Sequence, residues 1–245
     1  MLEVRAIRAH LWVPVPNPRP NRISFVNSSP SASSTTANRD LFDQSALSDL
    51  AQRLVEAAKR AGADAADAVA VRGVSQGVEV RDGRVEESER SEGDDVGLRV
   101  LVGQRQAVVS TNDVSGDAVT KLAERAVAMA KVAPDDKYVG LADPALLARD
   151  FPDLDLLDPD VPATSELERR ALEAEAAALA VKGVSKSGGA SASSGMGGMV
   201  LVTSTGFHGS YLRSSQGISA TAIVGEGTSM ERDYDFTSAP HGADL

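Results

Sequence analysis

The sequence predicts an α+β fold in which helices pack against antiparallel or mixed sheets. Three observations carry that prediction. Apolar residues recur at helical spacing in three separate segments, strict apolar/polar alternation fills the stretches between them, and Gly-containing dipeptides punctuate the alternating runs where a chain reversal is needed. A chain of 245 residues is long enough for two cores. The predicted organisation is a tail over 1–44, an N-terminal α+β unit over 45–133, a Pro/Asp-rich connection over 134–163, and a central helix-plus-antiparallel-sheet unit over 164–245.

Residues 1–44 carry prolines at 14, 16, 18, 20 and 30 and a Ser/Thr-rich stretch, without a repeating apolar period, and read as a disordered tail. A targeting peptide is the functional alternative, since Arg5, Arg8, Arg19 and Arg22 outnumber Glu3, but there is no apolar run of the kind such signals need. A start of translation downstream, for instance at Val26, is a further expectation that mass spectrometry of the native N-terminus would settle.

From Ser45 the period becomes helical, with Leu47, Leu50, Leu54 and Ala58 on one stripe and Gly62 placed to end the helix. Asp82-Gly83 has the turn chemistry of a two-residue hairpin and sets Val80 opposite Val85. Val96, Leu98, Val100 and Val102 then alternate onto one face, and Gly103 starts a reversal into Ala107–Thr111. Ser115 or Asp113 is placed to cap a helix with Val119, Leu122, Ala126 and Met129 along its apolar stripe.

Prolines at 134, 144, 152, 159 and 162 mark a long, partly ordered connection. Thr164 or Ser165 should cap a helix whose Leu167, Ala171, Ala174, Ala178 and Val181 form a narrow stripe of small side chains, suited to lying close on a sheet. Three or four antiparallel strands follow, with turns expected at Thr205-Gly206 and Gln216-Gly217; Phe207 and Tyr211 should share a face, as should Ile218, Ala220, Ala222 and Val224.

Composition narrows the chemistry. With 25 Lys and Arg against 35 Asp and Glu, the formal charge is −10, which disfavours direct binding to nucleic acid. Cysteine is absent, removing disulfides, thiolate ligands and a Cys nucleophile, and fitting a reducing compartment. No apolar run is long enough for a membrane helix.

Four motifs invite a functional reading. Glu226, Glu231, Asp233 and Asp235, followed by His241, offer oxygen ligands for a hard cation, but alternate positions on a strand lack the Gly-turned loop that wraps an ion; a solvent-facing edge that resists pairing explains them as well. Glu86–Asp95 has the acid density of a cation or basic-partner site and reads as a solvated loop between two strands. The glycines of Ser185–Gly189 and Ser194–Met199 lack the Lys-Ser/Thr ending or GxGxxG spacing of phosphate cradles and fit bulges or close backbone contact. His208 and His241 each stand without a second His or Cys ligand nearby in sequence, and no GxSxG elbow presents a serine. No residue is nominated as catalytic, cofactor-binding or metal-ligating.

The order of segments is itself informative. The stretch from Val78 to Lys131, with its Asp-Gly hairpin, the GLRVLV strand and a helix of small residues, resembles the N-terminal domain of the TldD/PmbA family, and Leu201–Phe236, with its S-T-G-F turn and MERDYD ending, resembles that family's central domain. The Met-Glu-Arg-Asp-Tyr-Asp form points to the PmbA branch, also called TldE. The resemblance implies a cytoplasmic heterodimeric metalloprotease acting on peptides or unfolded protein, in peptide-antibiotic maturation and antitoxin degradation. In it a TldD-type partner holds a zinc-type metal in an H-E-x-x-x-H helix and the PmbA-type chain lacks that site. It also implies that the family's C-terminal half lies beyond residue 245, that Gly225–Phe236 is the exit from the central domain, and that this chain alone is inactive, with no metal or cofactor of its own. A non-enzymatic module that modulates a partner such as DNA gyrase or a toxin-system component, through acidic segments such as Glu86–Asp95, is the alternative.

Overall fold

A computed structural model describes residues 44–245; the expected tail lies outside the described residues, apart from Gln44. The elements run α1 (Ser45–Arg60), β1 (Ala65–Arg81), β2 (Arg84–Val102), β3 (Arg105–Thr111), α2 (Gly116–Val132), α3 (Thr164–Leu179), β4 (Val184–Thr203), β5 (His208–Val224) and β6 (Glu231–Ala239). All six strands join one curled antiparallel sheet in the order β3-β2-β1-β4-β5-β6. The class is α+β, as the alternating patterns predicted. The strands on either side of the Pro-rich connection hydrogen-bond to each other directly: β1 and β4 pair without interruption from Asp67 opposite Thr203 to Val80 opposite Ala190.

All three helices lie on one face of this sheet, above two separate apolar clusters. In the first, Leu47, Leu50 and Leu54 of α1 and Val119, Leu122 and Ala126 of α2 close over Ala66, Ala68 and Ala70 of β1, Leu98 and Val100 of β2 and Val200 of β4. In the second, Leu167, Ala171, Ala174 and Ala178 of α3 cover Val78, Val80, Ala190, Ala192, Ala220 and Ala222. Alanine on both surfaces lets α3 approach the strands closely, since neither side chain holds the backbones apart. The α2 stripe ends on Ala130 and not on Met129, which is 45% exposed, because four residues past Ala126 lies nearer the sheet than three.

The hairpin at Asp82-Gly83 has positive φ at both residues, 52° and 72°, and sets Val80 opposite Val85 as predicted; Glu86 is the extra residue of a bulge. Its tip is tied to α3. The buried Glu175 carboxylate accepts the Asp82 N–H at 2.9 Å and the Gly83 N–H at 2.8 Å, and also takes the Ser187 hydroxyl. Three donors compensate its desolvation.

Several local expectations are corrected. Glu86–Asp95 is not a loop: it lies in the first half of β2, paired with β1 from Glu87 onward, and its side chains apart from the half-buried Asp94 are exposed because β3 stops at the level of Val96 and nothing covers them. Gln216-Gly217 is not a turn but the middle of β5, where Gly217 has no positive φ and Gln216 is buried. Thr164 and Ser165 lie inside α3, and Ala163 occupies its N-cap without a side-chain bond. Ser115 is the N-cap of α2, but its hydroxyl caps nothing; Asp113 instead accepts the Ser115 N–H at 3.1 Å.

Between the two clusters Arg72 of β1 holds Asp94 of β2 in a two-pronged contact of 2.7 and 2.8 Å. Hydrogen bonding from Arg72 keeps the Asp94 carboxyl below its ordinary value of 3.8, against the opposing effect of burial. A depressed carboxyl contributes stability that is fully present above its unfolded pKa and is lost as pH falls through the folded one. Urea unfolding of Asp94→Asn and the parent chain should therefore differ near neutral pH, with the gap narrowing only as pH falls below about 4; a gap unchanged down to the lowest pH would contradict the pairing. Glu175→Ala, which strands two hairpin N–H donors and the Ser187 hydroxyl, should cost about 1–3 kcal/mol in the same assay, with a smaller loss for Glu175→Gln.

Candidate functional site

The middle of the sheet differs from its ends on both faces. On the helix-bearing face, neither apolar cluster covers the centre, and a polar plug does so. The connection returns across β5 there: Ser214 N–H donates to the Leu156 carbonyl at 3.0 Å, and Asp158 N–H donates to Ser214 Oγ at 2.6 Å. The buried Asp158 carboxylate accepts Gln216 Nε2 at 3.1 Å, Gly242 N–H at 2.8 Å and Asp160 N–H at 2.9 Å, while Arg170 of α3 donates to Gln216 Oε1 at 2.8 Å. Every polar member has a partner, so the plug is a fixed backing rather than a binding site.

The opposite face carries no helix. At its centre is an open groove of about 720 Å³, and the strand registers divide its lining into three rows across β2, β1, β4 and β5. Asp95, Val71, Met199 and Tyr211 form one bank. Gly93, Gly73 and Gly197 form the floor, which ends at Arg213. Ser91, Ser75, Gly195 and Ser215 form the other bank. At this level the sheet is only four strands wide, since β3 pairs no further than Val96 and β6 no further than Gln216. The groove therefore opens at both sheet margins. Glycine on the floor exposes peptide backbone to whatever lies in it, and a Cβ at Gly93 would meet nothing within 4 Å.

The chemistry of the lining is that of a binding surface. Val71, Met199 and Tyr211 offer apolar contact, Tyr211 being 46% exposed, and the serines offer hydroxyls that both donate and accept. The Tyr211 carbonyl is itself occupied, accepting Gln44 Nε2 at 2.7 Å from the other face.

Most of the residues weighed in the sequence fall elsewhere, with two segments as exceptions. Asp233 and Asp235 lie on the helix-bearing side of β6, opposite Ala222 and Ala220, and each accepts the next N–H, from Tyr234 at 3.0 Å and Phe236 at 2.9 Å. They thereby occupy donors along an edge strand, as the edge-protecting reading requires. Glu231 stands on the same face at the strand's start, and Glu226 precedes a short turn. Among the described residues no group of three or more His, Asp or Glu is placed to hold a metal ion, so the family's metal finds no fitting donor set here. His208 Nε2 meets Ser48 Oγ at 3.1 Å. His241 Nε2 meets the Asp155 carbonyl at 2.9 Å, a contact that raises its pKa. Ser185–Gly189 holds a bulge beside Glu175. The exceptions are Ser194–Met199, whose Gly195, Gly197 and Met199 line the groove, and Glu86–Asp95, whose Ser91, Gly93 and Asp95 do so on β2. Sequence reading missed the site because Gly73, Gly93 and Gly197 become neighbours only through register; glycines and serines at alternate positions of each strand were the available signal. It missed Glu175 too, although a glutamate four residues after Ala171 interrupts the apolar stripe.

Comparison with known proteins adds the family. Residues 66–130 match the model of PmbA/TldA metallopeptidase domain 1, and residues 155–245 match that of the PmbA/TldA metallopeptidase central domain. A Metalloprotease PmbA homolog of Haemophilus influenzae is 40% identical over 188 residues, covering 75% of this chain and 41% of its own. Metalloprotease PmbA of Escherichia coli O157:H7 is 34% identical over 169 residues, covering 69% and 38%. The chain thus aligns with less than half the length of these curated relatives. Among solved structures, a candidate modulator of DNA gyrase from Bacteroides thetaiotaomicron superposes with a TM-score of 0.76 at 22% identity, covering 82% of this chain and 46% of that one. TldE from Thermococcus kodakarensis superposes at 0.64 with 14% identity, covering 78% and 43%. These likenesses show the shared fold, and the two matched domains together with the curated relatives show that the chain belongs to the PmbA/TldD family.

Proposed function

We propose that this chain contributes the N-terminal and central domains of a PmbA/TldE-type subunit, which presents peptides to a TldD-type partner holding a zinc-type metal. The observation that carries the reading is the groove on the helix-free face: an apolar bank, a glycine floor that exposes backbone, and a hydroxyl bank suit an extended polypeptide better than a compact metabolite. In this role the chain supplies surface and orientation, bond cleavage belongs to the partner, and the chain alone is inactive. A cytoplasmic setting fits the absence of cysteine from the sequence, and among the described residues no helix is long and apolar enough to cross a membrane. Peptide-antibiotic precursors and antitoxins are the substrate classes the family resemblance suggests.

A second reading is favoured by a separate observation. Glu79 and Glu87 face each other across β1 and β2 on the helix-free side, with Glu89 one row away, and none of the three has an ion-pair partner among the described residues. Like charges directly opposite are unfavourable unless a cation relieves them. Such a surface suits a basic segment of a regulated protein, such as gyrase or a toxin-system component.

Co-expression with a TldD-type chain, followed by peptide cleavage with and without chelator, separates the two. The first reading expects a stable pair whose chelator-sensitive cleavage falls about tenfold or more with Gly93→Leu, which fills the groove where the backbone has room. A pair that cleaves equally well with the groove filled would overturn the assignment of peptide to this surface, and a complex with a non-protease partner without cleavage would favour the second reading.

A further inference from the structure

Asp95 and Arg213 stand at opposite ends of the groove, on the outermost of the four strands that build it. Both are exposed, and neither has an ion-pair or hydrogen-bond partner among the described residues. Nearby charges are treated differently. Arg99 on the same face is held by Asp67 across β1 and β2, and Arg72 on the other face is held by Asp94. The two charges left uncompensated on the groove's lining are thus of opposite sign and far apart. We propose that they make the groove polar along its length, so that it selects a short extended peptide carrying a cationic group at one end and a carboxylate at the other, with the cation at Asp95 and the carboxylate at Arg213.

The length follows from the sheet lattice. Crossing from β2 to β5 takes three inter-strand steps of about 4.8 Å, and Asp95 and Arg213 are offset by one row, which places the two positions on the order of 15 Å apart. Extended chain advances about 3.3 Å per residue, so four to five residues span that distance. Between the ends, side chains on one side of such a peptide meet Val71, Met199 and Tyr211, and its backbone polar groups on the other meet Ser75, Ser91 and Ser215. The glycine floor lets the backbone lie low enough to reach both charges. An anionic ligand such as a nucleotide is disfavoured, because Asp95 lines the groove with a single uncompensated arginine and the chain's formal charge is −10. The groups at the two ends are either free termini or Lys/Arg and Asp/Glu side chains at that spacing. This inference rests on the reading that the groove holds peptide, and adds which peptides it prefers.

The test is calorimetric titration of the chain with a five-residue peptide of apolar interior, Val-Leu-Phe-Val-Ala, in four forms: free, N-acetylated, C-amidated, and blocked at both ends. The free form should bind tightest, with each block weakening binding about two- to fivefold, as expected for one exposed charge pair, and the difference shrinking as salt rises. Asp95→Asn should abolish the penalty for acetylation and keep that for amidation; Arg213→Gln should do the reverse. Neither side chain contributes to the core, and circular dichroism of each variant confirms folding. Equal binding by all four forms, with binding lost in Gly93→Leu, overturns the polarity while leaving the groove as a peptide site. Binding unaffected by Gly93→Leu, or absent for every form, overturns the polarity together with the reading on which it rests.

Discussion

The structure depends on the ladder between β1 and β4. These strands lie on either side of the Pro-rich connection, more than a hundred residues apart in sequence, and pair over fourteen successive positions. Each also pairs outward, β1 with β2 and β4 with β5, so the ladder forces the two helix-bearing halves to share one sheet. Neither half has an apolar cluster that reaches the centre. What holds the centre is therefore backbone hydrogen bonding, the Arg72–Asp94 contact and the polar plug around Asp158, with Val74 and Met196 the apolar side chains buried among them.

That arrangement accounts for the groove. Strands of 17 to 20 residues crossing a curled sheet must bend, and glycine at Gly73, Gly93 and Gly197 permits the bend where the sheet is narrowest. Structural need alone explains small residues there. It does not explain an apolar bank, a hydroxyl bank and two uncompensated charges in register around them, and the proposed peptide role rests on this combination. The edge of β6 contrasts with it: Asp233 and Asp235 accept the N–H groups of Tyr234 and Phe236, which occupies donors along an edge strand.

Local patterns were legible wherever burial by a helix imposed a period. The Leu47–Ala58 and Leu167–Ala178 stripes and the Val80–Val85 pairing follow from spacing and turn chemistry. Glu86–Asp95 was misread because a strand exposed on both faces has no apolar alternation, and only its ladder to β1 makes it a strand. Gln216-Gly217 carried a turn signal, but burial of Gln216 against Asp158 and Arg170 keeps β5 straight through it. The groove was illegible for a different reason. Its residues come from four strands, and no pattern within one strand encodes the register that joins them.

The central claim is that the helix-free face holds an extended peptide across the strands, and amide NMR of the isotope-labelled chain during peptide titration tests it most directly. The account predicts shifts confined to residues 71–75, 91–95, 195–199 and 211–215, with β6 and the helices unperturbed. Shifts that follow β6, or that centre on Glu79, Glu87 and Glu89 and leave Gly73 and Gly197 unmoved, would contradict it.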